Sequence, residues 1–159
     1  MSDFHGVAHM GIHVSNLERS IEFYAGCLGF TVHLHGEAPT HVQSLTGYPG
    51  AGIKRAILVF PGDLAEPGAA PFFEIIEFQQ VEKAAVDTSL ANPGTAHIAL
   101  WVRDLDALYS RLLGLGVRFV SEVIVAASGP NKGGKAVFAL DPDGIAVGLV
   151  QPSVWPLKL

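Results

Sequence analysis

Five histidines and one glutamate stand where strand alternation would gather them. His9 and His13 alternate with apolar residues in "GVAHMGIHV" (Gly6–Val14), as do His33 and His35 in "FTVHLHG"; Glu74 lies inside "FFEIIEF" (Phe72–Phe78), and His97 precedes "IALWV". Imidazole with carboxylate suits a divalent Zn, Ni, Mn or Fe ion and does not suit a soft thiolate site. A lone strand histidine is more often half-exposed and simply hydrogen-bonded. Glu74 is different: a carboxylate among Phe72, Phe73, Ile75 and Ile76 is costly to bury without a cation, a donor or water.

The elements that must position these groups repeat. "GVAHMGIHV" puts Ala8, Met10, Ile12 and Val14 on one face and His9, Gly11 and His13 on the other. Ser15 or Asn16 can cap a helix through "LERSIEFYAGCLG", stopped by Gly29. "FTVHLHG" alternates Phe30, Val32 and Leu34 against His33 and His35. Glu37–Gly52 reads as a loop, "KRAILVF" as a strand, "PGDLAEPGAAP" as a turn region, and "FFEIIEF" as a strand.

The order then restarts. "GTAHIALWV" is a strand with Ile98, Leu100 and Val102 opposite His97, Ala99 and Trp101. "DLDALYSRLLGLG" is a helix capped by Asp104 and stopped at Gly116. "VRFVSEVIV" is one strand or a bent pair, "GPNKGGK" a Gly-rich loop, "KAVFAL" a strand, "DPDG" a tight turn and "IAVGLVQ" the last strand. "HMGIHVSNL" aligns with "HIALWVRDL", matching His9 to His97 and Leu17 to Leu105. Laying "FFEIIEF" over the last strand puts Glu77 on Gln151 and Glu74 on Gly148. This is an internal duplication: residues 1–80 form a first βαβββ module, 81–93 a linker, and 94–159 a second module. The expected class is α+β, with the apolar strand faces under the helices and the opposite faces lining an open, barrel-like cleft.

Bulk properties narrow the partners. The chain has 159 residues, 49% of them hydrophobic, which suits one compact domain or two small modules. A net charge of −5 without a basic stripe argues against nucleic acid and anionic membrane. No apolar run approaches the roughly 20 residues that span a bilayer. The start "MSDFHGVAHMG" lacks the basic and apolar regions of a signal peptide, so a cytoplasmic location is expected. The single cysteine, Cys27, forms no internal disulfide and reads as a buried structural thiol. "GPNKGGK" lacks the phosphate-loop spacing.

"HMGIHVSNLERSIEFYAGCLGF", "FFEIIEF", "GTAHIALWVRDLDALYSRLLGLGV" and "GGKAVFALDPDGIAVGLVQ" together resemble the vicinal oxygen chelate superfamily, which includes glyoxalase I, methylmalonyl-CoA epimerase, fosfomycin- and bleomycin-resistance proteins and extradiol dioxygenases. The resemblance covers nearly the whole chain. It implies metal ligands at His9, Glu74, His97 and the position of Gly148. The first three match; Gly148 has no side chain to offer and leaves a vacant ligand position. A reduced set of three ligands implies a glyoxalase-like lyase or isomerase acting on a small substrate with adjacent oxygens. An Fe(II)-dependent, extradiol-type oxygenase and a metal-free binding or resistance protein are the alternatives. Glu74 and His13 are the candidate catalytic groups, and His33, His35, Phe78, Trp101 and Lys132 the candidate substrate contacts. Such proteins commonly dimerise, so a homodimer is expected.

Overall fold

A computed structural model describes residues 3, 5–62 and 71–155; most of the turn region in "PGDLAEPGAAP" lies outside them. The chain divides into two compact units, Met1–Ala84 and Ala85–Leu159. The first holds β1 (His9–His13), α1 (Leu17–Ile21), β2 (Thr31–Glu37), α2 (His41–Leu45), β3 (Gly52–Val59) and β4 (Phe72–Gln79). The second holds β5 (Ile98–Trp101), α3 (Leu105–Gly114), β6 (Arg118–Phe119), β7 (Ile124–Val125), β8 (Lys135–Leu140) and β9 (Ala146–Gln151). Each sheet is open and mixed. Its first strand lies at an edge, parallel to its last: the orders are β1-β4-β3-β2 and β5-β9-β8-β6, with β7 also on β8.

The duplication extends to register. Gly11 faces Glu74 across β1 and β4, as Ala99 faces Gly148 across β5 and β9. Asn16 caps α1 by accepting from the Arg19 N–H at 2.9 Å, and Asp104 caps α3 by accepting from Ala107 at 3.0 Å. The aligned stops Gly29 and Gly116 have φ of 81° and 79°, a left-handed conformation that costs glycine nothing. The matched residues Glu77 and Gln151 do the same work: each side chain accepts from the first helical N–H, Leu17 at 2.8 Å and Leu105 at 2.7 Å. In the "DPDG" turn, buried Asp141 accepts from the N–H groups of Asp143 and Ile145 at 2.9 and 2.7 Å.

The cores differ in chemistry. Under α1 the sheet buries Phe73, Ile75, Ala56 and Leu58 completely, with Tyr24 and Phe30 locked against Phe73 at ring separations of 4.9 and 5.5 Å. Past Ile21 the helix widens into π-helical turns over Glu22–Cys27, a departure from the regular helix expected there. The second core is aliphatic: Leu105 and Leu112 of α3 with Val137, Ala139, Val147 and Leu149 are all buried. Residues 37–52 are not all loop, since α2 seats Val42 on Ile53 and Ile76. "VRFVSEVIV" is the bent pair β6 and β7. Cys27 is half-buried rather than buried.

Candidate functional site

On β4, every second residue turns away from the aromatic core under α1, which sets Phe72, Glu74, Ile76 and Phe78 on the opposite face, where Ile76 is buried against Val42 of α2. Glu74 is only 12% exposed, and what compensates its charge is Arg55 of β3. Arg55 is cross-strand partner to Ile76, Ile57 to Glu74, so Arg55 reaches Glu74 on the diagonal. Its Nη1 donates to Glu74 Oε1 at 3.1 Å. The other carboxylate oxygen, Oε2, lies 3.6 Å from His9 Nε2, too long for a hydrogen bond. The His9 ring stacks on Phe72 at 4.9 Å, 16° from parallel. Arg55 Nε is enclosed without an acceptor. A half-buried charge-assisted bond of this kind is worth about 1.5–3 kcal/mol.

The matching face of the second module carries no charge at that point. His97 meets Phe138 edge-to-face at 5.0 Å. Phe138 is the cross-strand partner of Gly148. A Cβ added at Gly148 would stand 3.1 Å from the Ala99 Cβ and 3.3 Å from a Phe138 ring carbon. The position expected to be vacant therefore lacks a donor atom but is not open space; Phe138 and Ala99 close it.

The remaining candidates have other neighbours within their own units. His13 packs on Phe78 at 5.7 Å, four residues along β4 from Glu74, and Tyr48 closes on the same Phe78 at 5.3 Å. His35 does not share the Glu74 face as simple alternation required. The β2–β3 register shifts between Val32 and Leu34, and the extra residue, His33, inverts the pattern. Leu34 then pairs with Ile57, and His35 with Ala56 on the helix side, where its Nε2 lies 2.9 Å from Glu18 of α1. Trp101 is half-exposed and meets Trp155 edge-to-face at 5.9 Å. Lys132 is exposed in its loop, and Lys135 is ion-paired with Asp106 of α3. Arg55 and Tyr48 are candidates that alternation does not single out. In "KRAILVF" Arg55 stands beside Lys54, and "FFEIIEF" carries both Glu74 and Glu77, so no lone pairing marks it in the sequence.

A family model for the glyoxalase/bleomycin resistance protein/dioxygenase superfamily matches residues 6–149. The chain belongs to this superfamily. Solved structures agree on the fold. A glyoxalase family protein from Bacillus cereus is 19% identical, with a TM-score of 0.77 over 95% of this chain and 96% of that one. The trypanothione-dependent glyoxalase I of Leishmania major is 22% identical, with a TM-score of 0.66 over 93% and 87%. The antibiotic-binding protein TnmS3 from Streptomyces sp. CB03234 is 24% identical, with a TM-score of 0.58 over 96% and 100%. Among curated proteins none matches significantly. Among the described residues no helix is long and apolar enough to cross a membrane.

The superfamily generally uses divalent metals, and within each module of this chain the donors are few. Within the first module the set stops at His9 and Glu74, and one oxygen of Glu74 is already held by a guanidinium whose charge would repel a dication. In the second module the position matching Glu74 has no donor, and a side chain there would press on Ala99 and Phe138. Among the described residues, neither module gathers three His, Cys, Asp or Glu side chains as a metal site. These residues do not fit a metal held by the four-donor set.

Proposed function

We propose that this chain is a small-molecule-binding member of its superfamily, which holds an apolar, oxygen-bearing organic ligand on the face of β1, β4 and β3 without a resident metal ion. The observation that carries this reading is the Arg55–Glu74 pair at 3.1 Å, which neutralises the one buried carboxylate that a metal would need. Apolar groups surround that pair on its own face: Ile57 opposite Glu74, Leu34 beyond it, and Phe72 beneath His9. A mostly apolar site with few convergent polar groups is the usual form of a small-molecule site. The fold serves both an antibiotic-binding protein and a glyoxalase among its neighbours, so it favours neither use.

A second reading rests on the nearness of His9 Nε2 to Glu74 Oε2, 3.6 Å. If Arg55 gave way, His9 and Glu74 would offer one histidine and one carboxylate to the metal of a lyase, isomerase or Fe(II) oxygenase, and the family resemblance supplies His97 as the further ligand. Metal analysis of protein purified without chelators separates the two readings. The binding reading expects far less than one ion per chain, unchanged in His97→Ala. Close to one ion per chain, lost in His97→Ala, would overturn it. A homodimer belongs to the same proposal, and light scattering at a protein concentration of about 10 μM tests it.

A further inference from the structure

The loop "GPNKGGK" and the segment after β9 have no part in the reading above. The base of the loop is fixed: the Gly133 N–H donates to the Ala126 carbonyl and the Ala126 N–H to that of Gly134, each at 2.8 Å. Gly133 has a left-handed φ of 84°; Gly134 does not, so its backbone makes no demand for glycine. What excludes a side chain there is Asn131. A Cβ added at Gly134 would lie 2.6 Å from Asn131 Cγ. With that space clear, Asn131 Oδ1 accepts from the Ser153 N–H at 2.9 Å. Just past this bond, Trp155 meets Trp101 of β5 edge-to-face at 5.9 Å. Trp101 and Ala99 share the face opposite α3 with their β9 partners Val150 and Gly148. The hold is slight: the Ser153 bond is exposed to solvent, and Val154 and Trp155 are 63% and 70% exposed. So lightly buried a segment opens locally at little cost.

We propose that residues 152–155 form a strap, latched by Asn131 of the glycine-rich loop, that opens and closes over Trp101. Latched, Trp155 occupies one side of the Trp101 ring. Released, it leaves that side to a planar apolar molecule, which otherwise has to compete with Trp155 for it. Gly134 belongs to the latch because a side chain there displaces the Asn131 amide from Ser153. The device lies wholly in the second unit and does not depend on what the first unit binds.

Trp101 and Trp155 are the two tryptophans of the chain, so their contact reports on itself. Neighbouring indoles couple, and wild type is expected to show an exciton couplet in circular dichroism that Trp155→Phe abolishes. Asn131→Ala and Gly134→Ala should each reduce the couplet by at least about half and speed hydrogen exchange at the Ser153 N–H at least about 10-fold, leaving the amides of β8 and β9 unchanged. Asn131→Asp keeps an acceptor oxygen and should preserve both signals. 1-Naphthol, titrated calorimetrically, should bind Asn131→Ala at least about 3-fold more tightly than wild type, because less of the variant is closed. That gain should disappear in Asn131→Ala/Trp101→Ala. The proposal is overturned if wild type shows no couplet, or if couplet and slow Ser153 exchange survive both alanine variants. It is overturned equally if exchange rises as much in β8 and β9, since the loop would then hold the sheet and not the strap. Naphthol binding to wild type as tight as to Asn131→Ala, or a gain that survives loss of Trp101, would overturn it too.

Discussion

Where β4 carries Glu74, β9 carries Gly148, and each choice has reshaped its neighbours. In the first module Glu74 faces Gly11, where an added Cβ would meet nothing closer than 3.8 Å, and Arg55 comes across from β3 to hold the carboxylate. In the second, Gly148 faces Ala99, and Phe138 crosses from β8 to fill the space and turn its edge to His97. One copy holds a polar centre where the other holds packed apolar groups. Three positions along the same strands, by contrast, Glu77 and Gln151 still perform one task, receiving the first N–H of the helix.

The largest effect should come from the aromatic core. Phe73→Ala removes the ring on which Tyr24, Phe30 and Phe60 converge and is expected to cost about 3–5 kcal/mol in chemical denaturation. Val147→Ala, at the equivalent place in the aliphatic core, should cost less than half of that; equal losses would show that the cores do not differ as described. Next comes Gly148→Glu. With 3.1 Å to Ala99 and 3.3 Å to Phe138, it should destabilise by about 1–3 kcal/mol and gain no metal binding unless Phe138 is also trimmed to Ala. Tight metal binding by the single variant would mean that the position is open after all.

Smaller effects probe the shared task. Glu77 puts a formal charge at the N-terminus of α1 and Gln151 only a dipole at that of α3. Glu77→Gln should therefore lower stability, and Gln151→Glu raise it, each by about 0.3–1 kcal/mol at low salt. The smallest effect concerns Asp87, exposed near the start of the second compact unit. The Ser89 N–H, donating at 2.9 Å, and the Asn92 side chain hold its carboxyl below the ordinary aspartate value. A depressed folded-state value stabilises above the unfolded value and fades as pH falls through the folded one. The melting-temperature difference between wild type and Asp87→Ala should therefore be present at neutral pH and vanish well below about pH 4. A difference that persisted there would place its origin outside this carboxyl.

The duplication was legible because it is written in local signals: alternation in "HMGIHV" and "HIALWV", caps at Asn16 and Asp104, glycine stops at Gly29 and Gly116. Even the register of Glu74 on Gly148 could be read by matching apolar positions. What alternation cannot show is an irregularity in its own count. The bulge at His33 sends His35 to Glu18 and brings Leu34 to the face of Glu74. Nor does a missing side chain say what fills its place; Phe138 belongs to another strand, and only the pairing of β8 with β9 brings it over Gly148. Arg55 was hidden for the same reason. A buried carboxylate announces that it needs a partner, but the partner lies on the neighbouring strand, 19 residues away.

Calorimetric titration of Zn²⁺ into wild type and Arg55→Met, with folding of the variant verified, tests the central claim most directly. If Arg55 stands where a metal would otherwise sit, wild type binds weakly, and freeing Glu74 raises the affinity at least about 10-fold. Tight binding by wild type, undiminished by the presence of Arg55 and unchanged on its removal, would contradict the account.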